Sequence, residues 1–147
     1  MCKRELASEF EMKDLGLLHY FLRLDVWQRS CEIFLGQGKY AIEILRRFSM
    51  MDYKSMATTM GKNLKKPSDS VSDSDLVDPT VYRQLIGSLM YLVNTRPYIF
   101  FAVSTLSQFM VEPSHVHWVP TKHVLRYLHG TVGYGLFRYV LGDEVRL

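Results

Sequence analysis

The chain has 147 residues, of which 48% are hydrophobic and 22% charged, with a net charge of +3. That length suits one domain, able to bury roughly 70% of its unfolded surface. Two cysteines exclude a disulfide framework and a four-cysteine zinc site. No apolar run reaches the ~18 residues of a membrane span, and the charged start MCKRELASEF lacks the apolar core of a secretion signal. A reduced setting, cytoplasmic or nuclear, with no membrane partner is therefore expected.

The charge is unevenly spread. Asp69, Asp73, Asp75 and Asp78 share one polar segment, so the rest of the chain is distinctly basic. A basic body beside a detached acidic loop fits a phosphate-facing surface and fits an ordinary solvated exterior equally well.

In chain order, residues 3–12 predict a short helix with Leu6, Phe10 and Met12 on one side, closed by Gly16. LLHYFLRLDVWQRSCEIFLGQ predicts a hairpin turning near Gln28-Arg29-Ser30, with a second strand over Glu32 to Leu35. Ala41, Ile44, Leu45 and Phe48 then fall on one helical face, ending by about Met51. Residues 52–78 form a polar connection around KKPSDSVSDSD, which has nothing to bury and is expected to be mobile.

Asp78-Pro79 is a helix start, an N-cap acceptor followed by proline at the first helical position. Tyr82, Leu85, Ile86, Leu89 and Val93 make its apolar stripe. Gly87 inside it costs about 1 kcal/mol against alanine, so a closely packed neighbour is expected there. Thr95-Arg96-Pro97 restarts a helix whose inner face carries Tyr98, Phe101, Ala102, Thr105 and Phe109. Pro113-Ser114 starts another, with Trp118, Val124, Leu125 and Leu128 apolar and Gly130 at its end. Pro120 predicts a kink or a late start. The tail VGYGLFRYVL reads as a strand with no partner. The expected fold class is α+β, mostly helical, with one N-terminal β-hairpin and an orphan C-terminal strand.

Chemistry is hard to find in these elements. His115, His117, His123 and His129 lack the i, i+4 convergence that metal sites use, and are read as solvent- or phosphate-facing. Ser88, Ser104 and Ser107 lie on helices without a strand-turn-helix elbow. Cys2 and Cys31 have no activating neighbours, and GQGKYA lacks the spacing of a phosphate loop. Tyr98, Phe100 and Phe101 suit a core better than base stacking. No catalytic and no metal-ligating residue is assigned. Lys39, Arg46, Arg47, Arg83, Arg96, Lys122 and Arg126 lie on or beside helices, as a solvated face or as phosphate contacts along a groove.

Four stretches, FEMKDLGLLHYFLRLDV, IFLGQGKYAIEILRRFSM, YRQLIGSLMYLVNTRP and HVLRYLHGTVGYGL, resemble copia-type LTR retrotransposon Gag-Pol polyproteins in order and spacing, from about Leu6 to Tyr139. The resemblance implies the C-terminal part of a reverse transcriptase up to the start of ribonuclease H. Residues 1–51 would be the end of the palm, the primer-grip hairpin and the first thumb helix. Residues 52–78 would be a linker, 79–130 the helical thumb and connection, and 131–147 the start of a ribonuclease H-like strand. The family's Tyr-Val-Asp-Asp catalytic strand, which binds magnesium, does not precede FEMKDLG here. The implied role is therefore to grip an RNA–DNA template–primer without a polymerase active site and without a cofactor, beside the remainder of the reverse transcriptase and ribonuclease H.

By the same resemblance, Phe21, Leu22, Arg23, Leu24 and Asp25 fall at the primer grip; from their places on or beside helices, Lys39, Arg83, Arg96, Lys122 and Arg126 are the candidate phosphate contacts. Arg23 stands where the family has glycine, Thr59 where it has proline, Tyr98 where it has aspartate and Pro120 where it has alanine. These departures imply a decayed element copy. The rival reading is a small helical protein-interaction module with no nucleic-acid role.

Overall fold

The computed structural model describes residues 8–11, 16–29, 31–59 and 77–139. Most of the helix expected over 3–12 lies outside the described residues. So does the connection from 60 to 76, its expected mobility included.

The molecule is α+β. Strands β1 (Tyr20–Phe21), β2 (Leu24–Arg29) and β3 (Glu32–Gly36) lead into helix α1 (Gly38–Arg47). Helix α2 (Pro79–Leu92), a 3-10 turn (Pro97–Ile99), helix α3 (Phe100–Ser107), helix α4 (His115–Gly130) and strand β4 (Gly135–Tyr139) follow. The strands form one antiparallel sheet in the order β1-β2-β3-β4.

Strand β4 is thus not the orphan that the sequence suggests. It pairs with β3 from Glu32↔Tyr139 to Gly36↔Gly135, across about a hundred residues of intervening chain. Local pattern carries no information about so distant a partner. The hairpin is also more elaborate than expected. Leu22 and Arg23 make a two-residue turn between β1 and β2, and β2 then pairs with β3 as far as Arg29↔Glu32.

The core lies among the four helices. Ala41, Ile44 and Leu45 of α1 meet Tyr82, Leu85, Ile86, Leu89 and Leu92 of α2, then Ala102, Val103 and Leu106 of α3 and Val124, Leu125 and Leu128 of α4. Helix α2 starts as expected, with the Asp78 side chain accepting from the Thr80 amide at 2.7 Å behind Pro79. Gly87, however, has no neighbour within 4 Å of where a Cβ would stand. The anticipated close packing is absent.

The face of α3 is rotated from its expected position. Tyr98 and Phe101 are exposed, while Ile99, Ala102, Val103 and Leu106 are buried. The 3-10 turn advances about three residues per turn instead of 3.6, which shifts the phase of everything after it. Helix α4 runs unbroken past Pro120. The carbonyl that the missing amide would have paired belongs to Val116, a residue exposed to water.

Candidate nucleic-acid interface

The β1–β2 turn is the most distinctive local structure. Leu22 and Arg23 have φ of 48° and 61°, both in the left-handed region. Two such residues between paired antiparallel strands suit a primed hairpin turn, whose twist matches the sheet and which normally takes Asn-Gly. Two side-chain-bearing residues are strained there, at about 1 kcal/mol or more each.

Contacts from two helices hold the turn. Arg23 Nη1 donates to both carboxylate oxygens of Glu43 at 3.1 Å, and its guanidinium lies 4.7 Å from the centre of the Tyr40 ring. The Tyr91 hydroxyl of α2 donates to the Leu22 carbonyl. Asp25 of β2 approaches the start of α1, accepting from the Lys39 amide at 3.5 Å and pairing with Lys39 Nζ at 3.5 Å. Lys39 in turn sits 4.8 Å over the Tyr20 ring. Phe21 and Leu22 remain exposed at the tip, and Leu24 is half-buried. Glu43, Tyr40 and Tyr91 hold this site, yet the sequence marks them only as helix residues, because their partners lie up to 69 residues away.

The other candidate cations do not gather at that tip. Arg83 is exposed on α2. Lys122 lies 5.7 Å over the Trp118 ring on α4. Arg126 Nε donates to the Lys54 carbonyl at 2.7 Å, and the Met56 amide donates to the Arg126 carbonyl, which fastens the 54–56 segment to α4.

Arg96 is not a surface cation. It is fully buried and donates from Nη1 to the Thr131 carbonyl and from Nη2 to the Val132 carbonyl at 2.7 Å. Burial lowers its pKa, and the Tyr98 and Tyr127 hydroxyls oppose that shift. The side chain joins the loop after α2 to the end of α4. Next to it, Thr95 donates to buried Gln37 at 2.8 Å, at the N-terminus of α1.

His117 also departs from expectation. It is buried and stacks on Phe109 at 3.9 Å between ring centres. Its Nδ1 accepts from the Ser114 amide at 3.0 Å, closing a capping box at the start of α4. Burial lowers its pKa. Among the described residues no group of three His, Cys, Asp or Glu side chains could hold a metal ion. Asp25 and Glu43, the carboxylates nearest the turn, are paired with Lys39 and Arg23. These residues do not fit a magnesium centre. Among the described residues no helix is long and apolar enough to cross a membrane.

The chain is 41% identical over 133 residues to an uncharacterized mitochondrial protein of Arabidopsis thaliana, a match covering 90% of this chain and 54% of that one. It is 40% identical over 132 residues to the retrovirus-related Pol polyprotein from transposon RE2 of the same plant, covering 90% of this chain and 9% of the polyprotein. It is 36% identical over 138 residues to the retrovirus-related Pol polyprotein from transposon TNT 1-94 of Nicotiana tabacum, covering 89% and 10% respectively. The chain thus spans about half of the mitochondrial relative and about a tenth of the polyproteins. No family model matches it, and no solved structure does.

Proposed function

From the premise that this chain is a homologue of one segment of the retrovirus-related Pol polyproteins of copia-type transposons, we propose that it grips nucleic acid. It does so as a non-catalytic piece of a reverse transcriptase. Its ligand is an RNA–DNA hybrid or primer–template, and its partner is the remainder of a Pol polyprotein. It takes no cofactor of its own. Chemistry on the primer belongs to sequence outside this chain.

The observation that carries the reading is the Leu22–Arg23 turn. It is strained, clamped from α1 and α2, and presents Phe21 and Leu22 to solvent. A rigid tip with exposed side chains is suited to pressing against a sugar–phosphate chain. Lys39 beside it and Arg83, Lys122 and Arg126 on the helices supply positive charge. The test is an anisotropy titration with a labelled RNA–DNA hybrid at low and moderate salt. Phosphate contacts give an affinity that falls steeply as salt rises.

A second reading has an observation of its own. Phe100 and Phe101 are exposed, and Phe100 borders a shallow recess with Met90, Val93, Val103 and Ser104. A protein partner seated there would bind with little dependence on salt.

A further inference from the structure

The two faces of the sheet differ. Side chains alternate along a strand, so Val26 points into the molecule, where it is buried, and Trp27 points out, where it is 68% exposed. The register then aligns Trp27 with Phe34 and Phe34 with Phe137, one aromatic from each of three adjacent strands. Phe34 is half-buried within this row, while Trp27 and Phe137 stay largely exposed.

The row is shaped. Phe34 lies low across the sheet, over two glycines paired with each other, Gly36 and Gly135. A Cβ at Gly36 would stand 2.8 Å from the Phe34 ring, and one at Gly135 would stand 2.7 Å from it. Only glycines let the ring settle there. Phe137 packs against Phe34 with ring centres 4.7 Å apart and is itself 61% exposed. Trp27 and Phe137 thus flank Phe34 on the two neighbouring strands. The three line an open slot of about 320 Å³, which Gly133 also borders. Arg29 and Glu32, paired at 3.2 Å, stand at the slot as one donor and one acceptor.

We propose that this slot is a single-stranded nucleic-acid site, taking one unpaired base between Trp27 and Phe137 over Phe34. Aromatic walls offer stacking to any base, and Arg29 with Glu32 offers hydrogen bonds to a base edge. An aliphatic side chain of a protein partner would leave the ion pair without a match. The two charges at the slot cancel, so stacking on Trp27, Phe34 and Phe137 together with the paired donor and acceptor selects a base. The site is separate from the Leu22–Arg23 turn and does not depend on the grip of a duplex.

The experiment titrates the full chain with a short oligothymidylate and reads tryptophan fluorescence beside anisotropy. Binding should quench Trp27, and Trp27→Ala should weaken binding by about tenfold or more and remove the quench. Trp118→Phe should leave both intact. Trp27 is mostly exposed, so its loss should not unfold the chain, which circular dichroism checks. Hybrid affinity should be unchanged in Trp27→Ala, which keeps failure of this site distinct from failure of the duplex grip. The proposal is overturned by an absence of binding at low salt or by equal affinity of Trp27→Ala. Self-association that Trp27→Ala abolishes in sedimentation would also overturn it, by assigning the slot to protein.

Discussion

The Tyr91 hydroxyl on α2 donates to the Leu22 carbonyl at the tip of the β1–β2 turn, across 69 residues of sequence. The Tyr91 ring also meets Tyr40 of α1 edge-on, with centres 5.4 Å apart. One side chain therefore fixes the turn relative to two helices. Tyr91→Phe keeps the ring contact and removes the hydrogen bond. It should cost about 1 kcal/mol in urea unfolding and loosen amide exchange at Leu22 and Arg23.

Arg23 sets two effects against each other. Its left-handed backbone costs about 1 kcal/mol or more, while its exposed bonds to Glu43 and its place over Tyr40 return about 1 kcal/mol together. Arg23→Gly should be close to neutral in stability. Arg23→Ala loses the contacts and keeps the strain, so it should be less stable than the glycine variant by about 1 kcal/mol. Equal stability of the two would mean that the turn is not left-handed at this residue.

Gly87 sits exposed in the middle of α2 with open space around it. Gly87→Ala should raise stability by about 1 kcal/mol, read as a higher urea midpoint with an unchanged slope. A loss of stability would require a neighbour at this position.

His117 should make stability depend on pH. Its folded pKa lies below its ordinary value because it is buried, while the unfolded residue titrates near ~6.5. As pH falls through ~6.5 the unfolded chain takes up the proton first, so stability drops and then levels off below the folded value. Above ~6.5 the contribution is complete. His117→Asn can still accept from the Ser114 amide and should flatten the slope in that window.

How much of this was legible in the sequence depended on the range of each interaction. The buried stripes of α1 and α2 and the Asp78-Pro79 start came directly from periodicity and capping, which are local. The partner of β4 and the burial of Arg96 were not legible. Each depends on a contact more than thirty residues away. The left-handed turn was half legible: the resemblance marked Arg23 as a replaced glycine, and its φ of 61° gives the physical reason a glycine suits that position. The aromatic row left no sequence signal, since Trp27, Phe34 and Phe137 become neighbours only through strand register.

The central claim is that the chain grips nucleic acid at the Leu22–Arg23 turn. It is tested most directly by the affinity of an RNA–DNA hybrid for the parent chain and for Leu22→Glu, across a salt series. Leu22 is 65% exposed, so the substitution should leave the fold intact. The parent should bind at low salt and weaken steeply as salt rises, and Leu22→Glu should bind about tenfold more weakly as its carboxylate meets the phosphates. A parent with no affinity at low salt, or a Leu22→Glu variant that binds as well as the parent, would contradict it.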